Sequence, residues 1–204
     1  MITIQGTAQT SFAIKKSRFL GFAFRINDEL EAQGILSAHK KQYHDASHNC
    51  FAYVLQSGVM RYSDDGEPQG TAGLPMLEVI KRSGLTDVMV ISTRYFGGTL
   101  LGAGGLVRAY TQSAADALCA AQKVQVIACT VYNCTFSYNA WAKAEKRLVD
   151  AGFILDEVAY TDDVTAVIAA QSGAETTLYE LVTSLTLGKS TLTPVGTRTL
   201  EKPV

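Results

Sequence analysis

Two stretches of this chain bring together residue types that could do chemistry. The first, Ser63-Asp64-Asp65-Gly66-Glu67-Pro68-Gln69-Gly70-Thr71-Ala72-Gly73, crowds Asp64, Asp65 and Glu67 beside glycines and a proline. Clustered carboxylate oxygens suit a hard cation such as Mg²⁺, and the same groups can act as acid or base. The second runs from Arg94 through Tyr95-Phe96-Gly97-Gly98-Thr99-Leu100-Leu101-Gly102-Ala103 to Gly104-Gly105. Its glycines lie between a strand-like run and a helix-like run, where successive backbone N–H groups can form an anion site. Arg94 and Arg108 flank it, and the guanidinium fork fits phosphate.

Each stretch also has a purely structural reading. Ser-Asp-Asp-Gly is good turn chemistry, and Arg94 and Arg108 could simply pair with the carboxylates. The spacing is not that of a calcium loop. The glycines form neither a Walker A loop nor a dinucleotide fingerprint, since Val107 stands where the third glycine belongs. His44 and His48 lie four apart, but a zinc site would need a third ligand, and Cys50 is not at ligand spacing. Tyr62, Tyr95, Phe96 and Tyr110 could stack on bases or form ordinary core edges. Ser63 and Ser92 lack a nucleophile elbow, and no cysteine has an adjacent base, which counts against hydrolase chemistry.

The elements that must position these residues follow from periodicity and punctuation. Residues 3–14 and 18–26 read as strands of a hairpin turning at Lys15-Lys16-Ser17. Asp28 can cap a helix running to about Tyr43. Cys50–Gln56 is an apolar strand, Met76–Ser83 a helix with Pro75 in its first turn, and Val88–Thr93 a buried strand. Leu106–Ala121 is rich in helix formers. The pattern then restarts, with strands at 128–137, 153–160, 164–170 and 190–200 and helices at 140–151 and 174–185. That order, β-α-β-β-α-β, is the ferredoxin-like plan. The fold class expected is therefore α+β in two domains, residues 1–124 and 125–204, with the joint near Lys123–Ile127.

Composition restricts the function classes. The 204 residues are 47% hydrophobic and 18% charged, ordinary for a globular chain. Net charge is −1, without the polycationic signature of general nucleic-acid binding. Residues 1–124 hold 12 Lys and Arg against 10 Asp and Glu, and residues 125–204 hold 6 against 9, so any basic patch belongs to the first half. The four cysteines show no C-x-x-C pair, and the N-terminus lacks a signal-peptide pattern. No apolar run is long enough for a bilayer, so a cytoplasmic protein without membrane contact is expected.

The acidic stretch as part of Tyr62–Met76, Lys15-Lys16-Ser17-Arg18-Phe19, the His44–Cys50 stretch, and the glycine stretch through Tyr110 together resemble the signature of the IMPACT family, bacterial YigZ type. The likeness is sharp over residues 1–124 and one of pattern and length beyond. It implies a ribosomal-protein-like β-α domain followed by a ferredoxin-like domain, a pair similar to domains IV and V of elongation factor G. Eukaryotic members share the first domain and regulate translation.

The leading expectation is a translation-associated module that binds RNA or the ribosome without catalysis and without a cofactor. Its contacts would come from Lys15, Lys16, Arg18, Arg94, Gly97, Gly98, Gly104, Gly105 and Arg108. The alternative is an enzyme or small-ligand binder for a nucleotide or phosphate, with or without Mg²⁺, using Asp64, Asp65 and Glu67 beside the glycines. The first domain's fold class includes small-molecule kinases, although the serines of their phosphate loop are missing here. If Asp64, Asp65 and Glu67 face Arg94 and Arg108 across a cleft, a site exists; if the two stretches lie far apart, each is structural.

Overall fold

The computed structural model describes all 204 residues. The chain divides into two compact units, residues 1–125 with Pro203–Val204, and residues 126–202. It is α+β throughout, with two five-stranded sheets.

In the first unit, β2 (Thr7–Ile14), β3 (Ser17–Arg25), β4 (His48–Val54), β5 (Met60–Ser63) and β6 (Val88–Tyr95) form a sheet in the order β2-β3-β6-β4-β5. All its pairings are antiparallel. The central strand β6 is buried on both faces, which explains why its sequence reads as an unbroken apolar run. Alternate residues serve different cores. Val88 and Val90 pack with helices α2 (Gly73–Ser83) and α3 (Ala103–Ala120), while Met89 and Ile91 pack with Ala32, Ile35 and Leu36 of α1 (Glu29–Gln42). Helix α3 lies so close to β3 that a Cβ at Gly21 would stand 2.6 Å from the Ser113 carbonyl oxygen.

Local differences from the periodicity have identifiable causes. Residues 3–14 form two strands, β1 (Ile2–Gln5) and β2, because Gly6 adopts φ +67° and breaks the run. Strand β1 pairs with Gln122–Gln125. Short, exposed β5 carries little apolar signal and escapes a periodicity reading. Asp28 caps α1 through the Glu31 N–H at 2.8 Å, and Gly84, at φ +70°, ends α2. Helix α3 opens at Ala103, so Gly104 and Gly105 belong to its first turn and not to a free loop. The bend into it occurs at Gly102, φ +70°.

The second unit follows the order β7 (Gln122–Phe136), α4 (Tyr138–Asp150), β8 (Ile154–Tyr160), β9 (Val164–Gln171), α5 (Glu175–Thr186) and β10 (Leu192–Pro203). Strand β7 pairs with β9 and β10, and β9 with β8. Phe136, Trp141, Leu148, Ile168 and Leu178 fill its core. No helix of the chain is long and apolar enough to cross a membrane.

Candidate functional site

The acidic and glycine stretches meet, and the contact is a buried ion pair. Glu67 and Arg94 are 8% and 4% exposed, and Arg94 Nη1 donates to Glu67 Oε1 at 2.7 Å. The Tyr110 hydroxyl donates to the same oxygen, also at 2.7 Å, and His48 Nε2 stands 3.8 Å away. Arg94 sits at the end of β6 and Tyr110 on the inner face of α3, so three elements converge on one carboxylate. Arg94 Nη2 reaches Ser17 Oγ at 3.3 Å, and its Nε has no hydrogen-bond partner. The guanidinium lies 5.5 Å from both the Phe19 and the Phe96 ring centroids.

The other two carboxylates are structural in their contacts. Asp64 Oδ1 accepts the backbone N–H groups of Ala72 and Gly73 at 3.0 and 2.8 Å, and Oδ2 that of Gly70 at 2.8 Å. It therefore caps α2 from a distant loop position, a task for which Ala72, at the cap itself, has no side chain. Asp65 binds Lys40 Nζ at 2.6 Å and the Asn49 N–H at 2.7 Å. Burial acts to raise the Asp65 carboxyl, but the Lys40 and Asn49 hydrogen bonds and the Lys40 and His48 charges outweigh it and hold it below the ordinary value. The three acids thus point to three separate partners. No group of three or more His, Cys, Asp or Glu side chains is arranged to hold a metal ion.

Burial governs the titratable groups around the pair. Burial pushes the Cys50 thiol up to about 12, with Glu67, Asp65 and Asp64 adding to the shift against a Tyr110 hydrogen bond; the thiol donates to the Asp64 carbonyl at 3.0 Å. The Tyr110 hydroxyl is likewise pushed upward, first by burial. His48 Nδ1 meets the Asp65 carbonyl oxygen at 2.8 Å, and because a carbonyl only accepts, that nitrogen carries the proton. His44 is exposed beyond the end of α1, so it shares no helical face with His48, which opens β4.

The basic residues divide into two groups. Lys15 and Lys16 form the two-residue turn between β2 and β3, both exposed and both at positive φ, +45° and +66°. That geometry normally calls for Asn-Gly, so lysines there carry strain of about 1–3 kcal/mol each. The turn is pressed against Gly97: a Cβ on Gly97 would overlap the Lys16 carbonyl and the Ser17 nitrogen. Ser17 Oγ accepts the Gly97 N–H at 3.2 Å. Arg18 lies 4.6 Å over the Tyr95 ring. Gly98, at φ +81°, continues the exposed loop. Arg108 is exposed on α3 beside Gly104 and forms no ion pair with the acidic loop. Arg94 alone of the cations is committed to the interior.

Sequence patterns missed His39, buried on α1, whose Nε2 donates to Thr93 Oγ1 at 2.7 Å; Thr93 in turn donates to Asn49 Oδ1 at 2.8 Å. Burial lowers this imidazole to about 4, so it stays neutral. Ser17, the link between hairpin and glycine loop, was visible only as a turn residue.

The sequence model of the Impact N-terminal domain matches residues 15–118, which contain all of these contacts. The chain belongs to the IMPACT family. The IMPACT family member YvyE of Bacillus subtilis is 37% identical over 204 residues, covering 99% of this chain and 94% of that protein. The family member YigZ of Escherichia coli is 42% identical over 101 residues, covering 48% of this chain and 50% of that one. The crystal structure of a hypothetical protein, 27% identical, superposes with a TM-score of 0.61 and covers 95% of this chain and 96% of that chain.

Proposed function

We propose that this IMPACT family protein is a translation-associated regulator that binds RNA or the ribosome through phosphate contacts, in the cytoplasm and without catalysis. The observation that carries the reading is the Lys15-Lys16 turn. Two adjacent lysines are held exposed in a strained conformation at a hairpin tip, with Gly97 kept free of a side chain to receive them. Strain that the surroundings enforce is often a feature of recognition sites. The reading assigns further phosphate contacts to Arg18, which lies over Tyr95, to the Gly97-Gly98 loop, and to Arg108 with the first turn of α3.

The reading takes residues 1–124 as a domain like domain IV of elongation factor G and residues 125–204 as a ferredoxin-like domain like its domain V. The β-α-β-β-α-β order of the second unit, with β7 between β9 and β10, supports the latter. The absence of catalysis is supported by the pairing of every acidic-loop carboxylate and by the raised Cys50 and Tyr110 groups. Co-sedimentation with ribosomes and filter binding of single-stranded RNA at low salt test the reading. Association that weakens when Lys15, Lys16 and Arg18 are replaced by alanine supports it, and no association at any salt concentration removes it.

A further inference from the structure

The hairpin reading leaves unexplained a cleft of about 400 Å³ between residues 66–68 and 96–106. That size is within the range of small-ligand sites. Its lining includes the Glu67–Arg94 pair, the Phe96 ring, Leu101, and the start of α3 at Gly102 and Ala103.

Four features of this cleft are unfinished as they stand. Arg94, 4% exposed, bonds Glu67 through Nη1 and Ser17 through Nη2, yet its buried Nε–H has no acceptor. Buried donors are rarely left in that condition without a reason. Both protein donors to Glu67 use Oε1, so Oε2 is unclaimed by the protein. Phe96 is 48% exposed and Leu100 82%, although both line the cleft. Finally, α3 has eighteen residues and no side-chain cap, because Gly102 occupies the cap position. Its first N–H groups are free for an anion.

We propose that this cleft binds a nucleoside monophosphate, either as a free nucleotide or as the terminal nucleotide of an RNA. The base stacks on Phe96, its donor edge faces Glu67 Oε2, and its phosphate sits on the opening N–H groups of α3. Every nucleobase carries an N–H donor on its pairing edge that a carboxylate oxygen can accept. A fatty acid would satisfy the apolar wall and the helix terminus but leave Glu67 Oε2 unanswered. Inorganic phosphate would leave the aromatic wall bare. The phosphate end of this site shares the first turn of α3 with the proposed RNA surface, but Lys15, Lys16 and Arg18 do not line the cleft, so the hairpin and cleft variants fail separately.

The test is thermal unfolding of the full chain with millimolar AMP, GMP, CMP, UMP and inorganic phosphate, in the wild type and in Ala103→Trp and Phe96→Ala. Ala103 is exposed, so Ala103→Trp leaves the core intact; Phe96 also lies over Arg94, so the shift in Phe96→Ala is read against that variant's own ligand-free Tm. At tenfold excess over its Kd, a nucleotide raises Tm by about 3–5 °C. The shift disappears in Ala103→Trp, shrinks in Phe96→Ala, and survives in Lys15→Ala/Lys16→Ala. If free nucleotides do nothing but a 5′-phosphorylated oligonucleotide binds at least about tenfold tighter than its 5′-hydroxyl form, and only with Ala103 intact, the RNA end is the source. Four results overturn the proposal: no response to nucleotide or RNA end, the full shift from phosphate alone, a shift unchanged in Ala103→Trp, or loss of the shift with the hairpin lysines.

Discussion

Glu67 and Arg94 should be coupled in stability far more strongly than a surface pair. Their side chains are 3% and 5% exposed with a 2.7 Å contact, so solvent screens little of the attraction. At an effective dielectric of 20 the gross Coulomb term is about 6 kcal/mol, and removing one partner of a buried pair costs about 3–5 kcal/mol because the other charge is stranded. Glu67→Leu and Arg94→Met should each lose about 4 kcal/mol. Glu67→Leu also removes the acceptor of the buried Tyr110 hydroxyl, so the double variant keeps a deficit of about 1–3 kcal/mol instead of returning to wild type. The expected coupling energy is about 3 kcal/mol or more. Urea titrations followed by far-UV circular dichroism measure it, provided the slopes agree among variants. Fluorescence of the single tryptophan, Trp141, follows the second unit and would miss the effect. Additive losses, with a coupling below about 0.5 kcal/mol, would show that the two stretches are not held together by this contact.

Three further outcomes follow from the same geometry. Asp64→Ala exposes three backbone N–H groups at the start of α2 and should cost about 2–4 kcal/mol in a urea titration; a loss within about 0.5 kcal/mol would deny its capping role. Gly97→Ala should destabilise the first unit by more than about 2 kcal/mol because its Cβ meets the Lys16 backbone, whereas Gly58→Ala, in open space at φ +88°, should cost about 1 kcal/mol; equal effects would contradict the packing. His39 is lowered from 6.5 to about 4 on folding, so the unfolded chain binds more protons between those values. Stability should therefore fall as pH drops through that window, by up to about 3 kcal/mol, and His39→Gln should flatten the fall; Asp65, held low by Lys40, adds a further loss only below the ordinary carboxylate value.

The second unit was legible because its amphipathic runs are separated by strong punctuation such as Gly152 and Thr161-Asp162-Asp163. The first unit was legible in its elements and less so in its details. Strand β5 is exposed and short, and the glycines at 104 and 105 lower helix propensity where the chain nonetheless starts a helix. The candidate site was visible as two unusual compositions, but not as one place. Which carboxylate faces an arginine depends on the sheet, since Glu67 and Arg94 are brought together by β4 pairing with both β5 and β6. For the same reason Asp64, a candidate metal ligand by type, becomes a helix cap, and Arg94, a candidate phosphate ligand, becomes a buried partner. Turn geometry was the other blind spot: nothing in Lys-Lys announces two positive φ angles, because tertiary packing on Gly97 imposes them.

The most direct measurement is the salt dependence of single-stranded RNA binding by the wild type and by Lys15→Ala/Lys16→Ala/Arg18→Ala. Each phosphate contact contributes about −0.7 to the slope of log affinity against log salt, so losing three should flatten the slope by about 2 and weaken binding at low salt. No RNA association at low salt, or an unchanged slope in the triple variant, would contradict the assignment of the hairpin tip as the phosphate-binding surface.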